Sequence, residues 1–89
     1  MNIDINLNGN AIVVALLDGD NIIDSISWTD DSSLSKKLLL KIHALLERNS
    51  MKAADIQNFS THISQTAGIT SSRIVETIAL AFNSGRNLD

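Results

Sequence analysis

The sequence predicts a small two-layer α/β domain: an antiparallel three-stranded meander, a fourth strand parallel to the first, and two helices mainly on one face of the sheet, in the order β-β-β-α-β-α. Three observations lead there. Two turn signals, "NGN" and "DGD", separate three short apolar segments near the start of the chain. After "TDDSS" the apolar period lengthens from the two residues of a strand to the three or four of a helix. The same change, from strand period to helix period, then occurs once more before the chain ends.

The three opening strands read as "NIDINL" at 2–7, "AIVVALL" at 11–17 and "NIIDSISW" at 21–28. Asn-Gly and Asp-Gly supply the positive φ angles that tight hairpins need, so consecutive strands should pair antiparallel. The first strand alternates, with Ile3, Ile5 and Leu7 on one face and Asp4 and Asn6 on the other. In the third, Ile22, Ile26 and Trp28 should share a face with Asp24, leaving Ile23 with Ser25 and Ser27. The second strand is apolar throughout and is expected in the centre, covered on both sides more than its neighbours.

Residues 33–49 form the first predicted helix, with Asp30 and Asp31 favourably placed before its positive N-terminal end. At about 100° per residue, Leu34, Leu38, Leu39, Ile42, Leu45 and Leu46 fill one broad arc, and Leu40 falls far outside it. Beyond "RNSMKAAD", the segment "IQNFSTHIS" at 56–64 alternates through Phe59, Thr61 and Ile63 as a fourth strand, and the intervening helix allows it to run parallel to the first. The second helix should start near Thr70, Ser71 or Ser72, any of which can cap it, and end near Asn83 with Gly85 as a stop. Ile74, Val75, Ile78, Ala81 and Phe82 share its core face, and Leu80 points elsewhere. With no repeat, proline-rich linker or low-complexity segment, residues 1–89 read as a single domain.

Composition narrows the function. A chain of 89 residues, 44% of them hydrophobic, can bury roughly 60–65% of its unfolded surface, a modest core that gains from association. Seven Lys and Arg against ten Asp and Glu give a net charge of −3, which offers no broad footprint for nucleic acid. The start of the chain lacks a secretory pattern, and no segment approaches the roughly 20 apolar residues of a membrane span, so a cytoplasmic location is expected. The absence of cysteine excludes disulfides and thiolate chemistry.

The chemistry-bearing residues do not assemble into a recognisable catalytic or metal motif. "DGDNIIDSISW" lacks the glycine and terminal glutamate spacing of a calcium loop, and its Asp-Gly is explained by the hairpin. His43 and His62 have no paired ligand pattern, and no Ser-His-Asp spacing specifies a triad. No catalytic residue, metal ligand or cofactor is therefore assigned. Asn58-Phe59-Ser60 fits a glycosylation acceptor but falls in a strand of a chain without an export signal. Arg73, near the start of the second helix, is placed either to meet an anion over the helix N-terminus or to sit at the surface near Glu76. Leu40 and Leu80, both off their core arcs, are candidates for a patch buried by another copy or another protein.

The element order resembles the opening half of the actin-like ATPase and ribonuclease H-like folds, and in detail the N-terminal half-lobe of the TsaB (YeaZ) family. In that family an Asp-Thr pair ends the first strand; here Asn6-Leu7 stands in its place, and the following "VAL" recurs at Val14 to Leu16. The family's Gly-Pro-Gly-Ser-Phe-Thr-Gly-x-Arg loop aligns with "SQTAGITSSR", with Thr70 and Arg73 matching and Gln65, Thr66 and Ala67 replacing the Gly-Pro-Gly region. The resemblance implies a degenerate, truncated partial N-terminal domain without the second lobe that completes a nucleotide cleft. It also implies a non-catalytic protein, a pseudoenzyme, that works through its helices as a homodimer or with the enzyme TsaD in making threonylcarbamoyladenosine on transfer RNA. Two alternatives stay open: an incomplete nucleotide-binding or phosphotransfer domain completed by a second chain, with Thr70 and Arg73 near the phosphate, and a structural self-association domain sharing only the fold.

Overall fold

The computed structural model describes residues 1–30 and 34–86. Strands β1 (Asn2–Asn8), β2 (Ala11–Asp18) and β3 (Asn21–Thr29) are followed by helix α1 (Leu34–Arg48), a single 3-10 turn at Ala53–Asp55, strand β4 (Asn58–Ile63) and helix α2 (Ile69–Arg86). The sheet order is β3-β2-β1-β4, with β1 antiparallel to β2, β2 antiparallel to β3, and β1 parallel to β4. The predicted architecture is therefore the observed one. Asp31, expected before α1, lies outside the described residues.

Both hairpins close through two-residue loops, since Asn8 pairs with Ala11 and Asp18 with Asn21. The loop residues are Gly9-Asn10 and Gly19-Asp20, and each glycine has φ +62°. Neither Asn10 nor Asp20 has a positive φ, so glycine at the first loop position is what allows the chain to reverse.

One sheet face carries the core. Ile3, Ile5 and Leu7 of β1, Ile12, Val14 and Leu16 of β2, and Phe59 of β4 pack under Leu34, Leu38, Ile42, Leu45 and Leu46 of α1 and Val75 and Ala79 of α2. β2 is an interior strand as expected, but only one of its faces lies under helices. On its other face Val13 is exposed and Leu17 half-buried.

Three boundaries differ from the sequence expectation. In β3 the register shifts beside Leu16/Leu17: Leu16 faces Asp24 but Leu17 faces Ile22, which leaves Ile23 as the extra residue of a bulge. A bulge inverts the alternation, so Ile22 turns to the open face with Leu17 and is 67% exposed, away from Ile26 and Trp28. Helix α2 begins at Ile69, before the expected Ser and Thr caps. Its first intrahelical bond runs from the Ser72 N–H to the Gly68 carbonyl, and the Ser72 hydroxyl donates to that same carbonyl at 2.8 Å. Gly68 thus takes the N-cap position. At the other end α2 continues through Gly85 to Arg86, because the preceding turn is held to β4 by Phe82 and Asn83.

α1 closes with a Schellman motif. The Met51 N–H donates to the Leu46 carbonyl at 2.9 Å and the Ser50 N–H to the Glu47 carbonyl at 3.0 Å, with Ser50 in the left-handed region at φ +57°. The same helix end is tied to β3. Arg48 donates to both carboxylate oxygens of Asp24, at 2.7 and 2.8 Å, and to the Ser25 carbonyl at 3.1 Å. Asn49 adds a bond to Asp24 at 2.9 Å. Asp24 is the one acid on the inner face of β3, and its fork to Arg48 explains how an acid is accommodated there.

Candidate functional site

The helical layer presents a continuous groove between α1 and α2. Its middle, a cavity of about 340 Å³, is lined by Leu39, Thr77, Ile78, Ala81 and Phe82. Through Leu39 and Phe82 it runs into a cavity of about 470 Å³ beside Ile42, His43, Leu46, Glu47, Met51 and Lys52. Through Thr77 and Ile78 it continues the other way into one of about 380 Å³ lined by Ser35, Ile69, Thr70, Arg73 and Ile74. The arrangement is an apolar floor with polar ends.

Helix geometry explains which leucine reaches this groove. Leu38, Leu39 and Leu40 are consecutive, so they step about 100° apart around α1. Leu38 is fully buried, Leu39 is 48% exposed and Leu40 is 58% exposed. Leu38 points at the sheet, Leu39 lies on the flank toward α2, and Leu40 lies opposite the core. Leu39 thus sits at the border of the broad arc rather than inside it. Leu80 is 65% exposed and, like Leu40, does not line the groove. On α2 the groove-lining Thr77, Ile78 and Ala81 occupy one flank, and Leu80 falls on the opposite one. The structure therefore does not gather Leu40 and Leu80 into one patch with the groove; they stand on its outer surroundings.

Thr70 and Arg73 do come together, one turn apart on α2, in the polar end of the groove beside Ser35. Arg73 is exposed and makes no hydrogen bond or ion pair among the described residues. They do not reach the crevice at the C-terminal ends of the parallel strands, which is a separate cavity of about 310 Å³ lined by Asn6, Leu7, Asn8, His62, Ile63 and Ser64. The loop after β4 uses its hydroxyls internally. Ser64 Oγ accepts from the Gly9 N–H at 3.1 Å and pairs with Thr66 Oγ1 at 2.9 Å.

The open sheet face has a polar side on β1 and β4. There the Ser60 hydroxyl donates to Asp4 Oδ1, and His62 Nε2 lies 3.6 Å from Asp4 Oδ2. These three residue types occur together, but the acid stands between the hydroxyl and the imidazole. A nucleophilic triad requires the imidazole in that middle position to take the hydroxyl proton. His43 is on the helical layer, 3.5 Å from Glu47 one turn on. Among the described residues no three His, Cys, Asp or Glu side chains are grouped to hold a metal ion. No described helix is long and apolar enough to cross a membrane.

Comparison with known proteins agrees with the fold. Neither a protein-family model nor a curated protein matches the chain. Among solved structures, YeaZ from Pseudomonas aeruginosa superposes with a TM-score of 0.78 over 98% of this chain, at 17% sequence identity. The fold is that of the part of YeaZ on which the chain superposes. The chain spans 41% of the length of that structure.

Proposed function

We propose that this chain is a non-catalytic, TsaB-like interaction module whose helical layer binds a second copy of itself or a TsaD-like protein, and that it thereby supports assembly of the machinery that makes threonylcarbamoyladenosine on transfer RNA. The observation that carries the reading is the groove between α1 and α2. Its middle is lined by Leu39, Ile78, Ala81 and Phe82, and Leu39 is half exposed with no covering element among the described residues. Covering such a groove removes apolar surface from water at about 25 cal/mol per Å², while the polar groups at its two ends supply register. A docking role needs nothing else from the chain.

The non-catalytic part of the proposal rests on the strand-end crevice. Asn6 stands where the resembling family carries an acid, and Ser64 is engaged with Gly9 and Thr66. Those residues offer neither a carboxylate for a metal-bound phosphate nor free hydroxyls.

Size-exclusion chromatography with light scattering on the wild type and on Leu39→Glu/Ala81→Glu tests the docking role, with binding to a TsaD-like protein measured in parallel. The groove variant should lose self-association or partner binding, and Leu40→Glu/Leu80→Glu, which alters the outer surface, should lose less. Unchanged association in the groove variant refutes the reading. Calorimetry with ATP and magnesium tests the other half: binding that disappears in Arg73→Ala would favour a nucleotide site completed by a second chain.

A further inference from the structure

A strand at the end of a sheet presents unpaired backbone N–H and C=O groups to any extended chain that approaches. The two ends of this sheet are managed differently. On β3 the bulge at Ile23 interrupts the regular spacing of those groups. β4 has no bulge, and its sequence, Asn58-Phe59-Ser60-Thr61-His62-Ile63, contains no proline, lysine or acid. Instead a side chain from α2 reaches across to it. The Phe59 N–H donates to Asn83 Oδ1 at 2.9 Å, and Asn83 Nδ2 donates to the Phe59 carbonyl at 3.0 Å. A carboxamide that satisfies both groups of one residue reproduces the bond pair a neighbouring strand would make. The stack of Phe59 on Phe82, with centroids 4.4 Å apart and planes at 13°, holds this part of α2 in place over the strand.

The N–H and C=O of a strand residue point to the same side, and successive residues alternate. Phe59 therefore turns its backbone groups away from β1, and Thr61 and Ile63 present theirs to the same free edge. We propose that Asn83 is a built-in guard of this edge: its side chain fills the pairing position at Phe59 and keeps β4 from pairing antiparallel with β4 of a second copy. The strand's own sequence selects that occupant. A two-fold axis through Thr61 brings Phe59 of one copy opposite Ile63 of the other, Ser60 opposite His62, and Thr61 opposite itself. All edge-facing residues then meet edge-facing residues, and the Phe-Ile pair extends the helix-covered face. This register places no carboxylates or lysines against each other, so nothing in β4 itself opposes the pairing. The feature is independent of the groove, because Asn83 and Thr61 line none of its three cavities.

The test compares the wild type, Asn83→Ala, and Asn83→Ala/Thr61→Pro by light scattering across a concentration range, with circular dichroism to establish folding. Proline lacks the N–H and is tolerated at edge strands. Asn83→Ala should self-associate at least about tenfold more tightly than the wild type, a difference of about 1.4 kcal/mol, and Thr61→Pro should reverse the gain. A folded Asn83→Ala with wild-type association, or a gain that Thr61→Pro leaves intact, overturns the proposal. Should Asn83→Ala not fold, amide hydrogen exchange on the wild type decides. The Phe59 N–H should exchange at least about tenfold more slowly than those of Thr61 and Ile63, since among the described residues only it has a partner on that edge; equal protection of all three overturns the proposal.

Discussion

Ser50 offers a test in which two opposing effects have known signs. It sits at φ +57° in the Schellman motif that ends α1, the one non-glycine described residue with a positive φ. Its N–H is bonded to Glu47, but its hydroxyl has no hydrogen-bond partner among the described residues, so the side chain contributes nothing that glycine would lose. For an L-residue with a Cβ, the left-handed conformation costs roughly 1–2 kcal/mol. Glycine removes that cost but adds conformational freedom to the unfolded chain, worth roughly 0.5–1 kcal/mol in the other direction. The first effect wins, and Ser50→Gly should stabilise the domain by about 0.5–1 kcal/mol. In a domain of this size that raises Tm by about 2–8 °C. The mirror experiment is Gly19→Ala. Gly19 has φ +62° and a Cβ there would meet no heavy atom within 4 Å, so only conformational terms act. It should destabilise by about 1 kcal/mol from the same two terms with signs reversed. Thermal and urea unfolding followed by circular dichroism measures both. A Ser50→Gly variant no more stable than the wild type, alongside a Gly19→Ala variant no less stable, would refute the reasoning about these left-handed positions.

Three further outcomes follow from the packing and the tether. Leu38 is fully buried beneath α1, and Leu38→Ala should cost about 2–5 kcal/mol in urea unfolding. Such a loss removes a large share of a total stability of the usual size, about 5–15 kcal/mol. Ile22→Thr, by contrast, should change stability by less than about 0.5 kcal/mol, because the bulge turns Ile22 to the open face where it is 67% exposed. A core-sized loss there would mean that Ile22 packs with Ile26 after all. Asp24 supplies a pH signature: the Arg48 guanidinium, then the Asn49 amide, lower its pKa from 3.8 to about 2. A carboxylate with a depressed folded pKa stabilises the fold above its unfolded pKa and loses that contribution as protons bind. Unfolding midpoints should therefore fall between about pH 4 and pH 2, and Asp24→Asn should flatten that limb. An Asp24→Asn profile parallel to the wild type across this window would show that the tether does not couple to folding.

The parts of this fold that were legible in the sequence are those set by neighbours in the chain. Gly9 and Gly19 mark the two hairpins because only a positive φ reverses the strand within two residues. Ile3, Ile5 and Leu7, or Leu34, Leu38, Ile42 and Leu45, reveal their face by period alone, and all are buried. The parallel placement of β4 followed from the helix before it. What escaped depends on partners distant in the sequence. The bulge at Ile23 lies in a run, Asn21 to Asp24, where two adjacent isoleucines fit either face, so periodicity assigns Ile22 wrongly. Gly85 has the composition of a helix stop, yet tertiary contacts of Phe82 and Asn83 carry α2 past it.

The same division runs through the site. Exposure of Leu40 and Leu80 follows from their phase on each helix, because Leu40 lies opposite the core and Leu80 on the flank of α2 turned away from α1. Leu39 is harder, since a residue at the border of an apolar arc is buried or open according to how closely the next helix approaches. At this crossing α2 approaches with Thr77, Ala81 and Phe82, and the small side chains among them leave the groove open over Leu39. Asn83 had no local signal of any kind. An asparagine near a helix end reads as a surface residue, and its role exists only because β4, 24 positions earlier, ends the sheet with the backbone groups of Phe59 turned to its free edge. Both surfaces on which association is proposed to turn, the groove and the guarded edge, are thus made where two elements meet. Single-helix or single-strand patterns identify what each element buries, and leave undetermined what two elements together leave open.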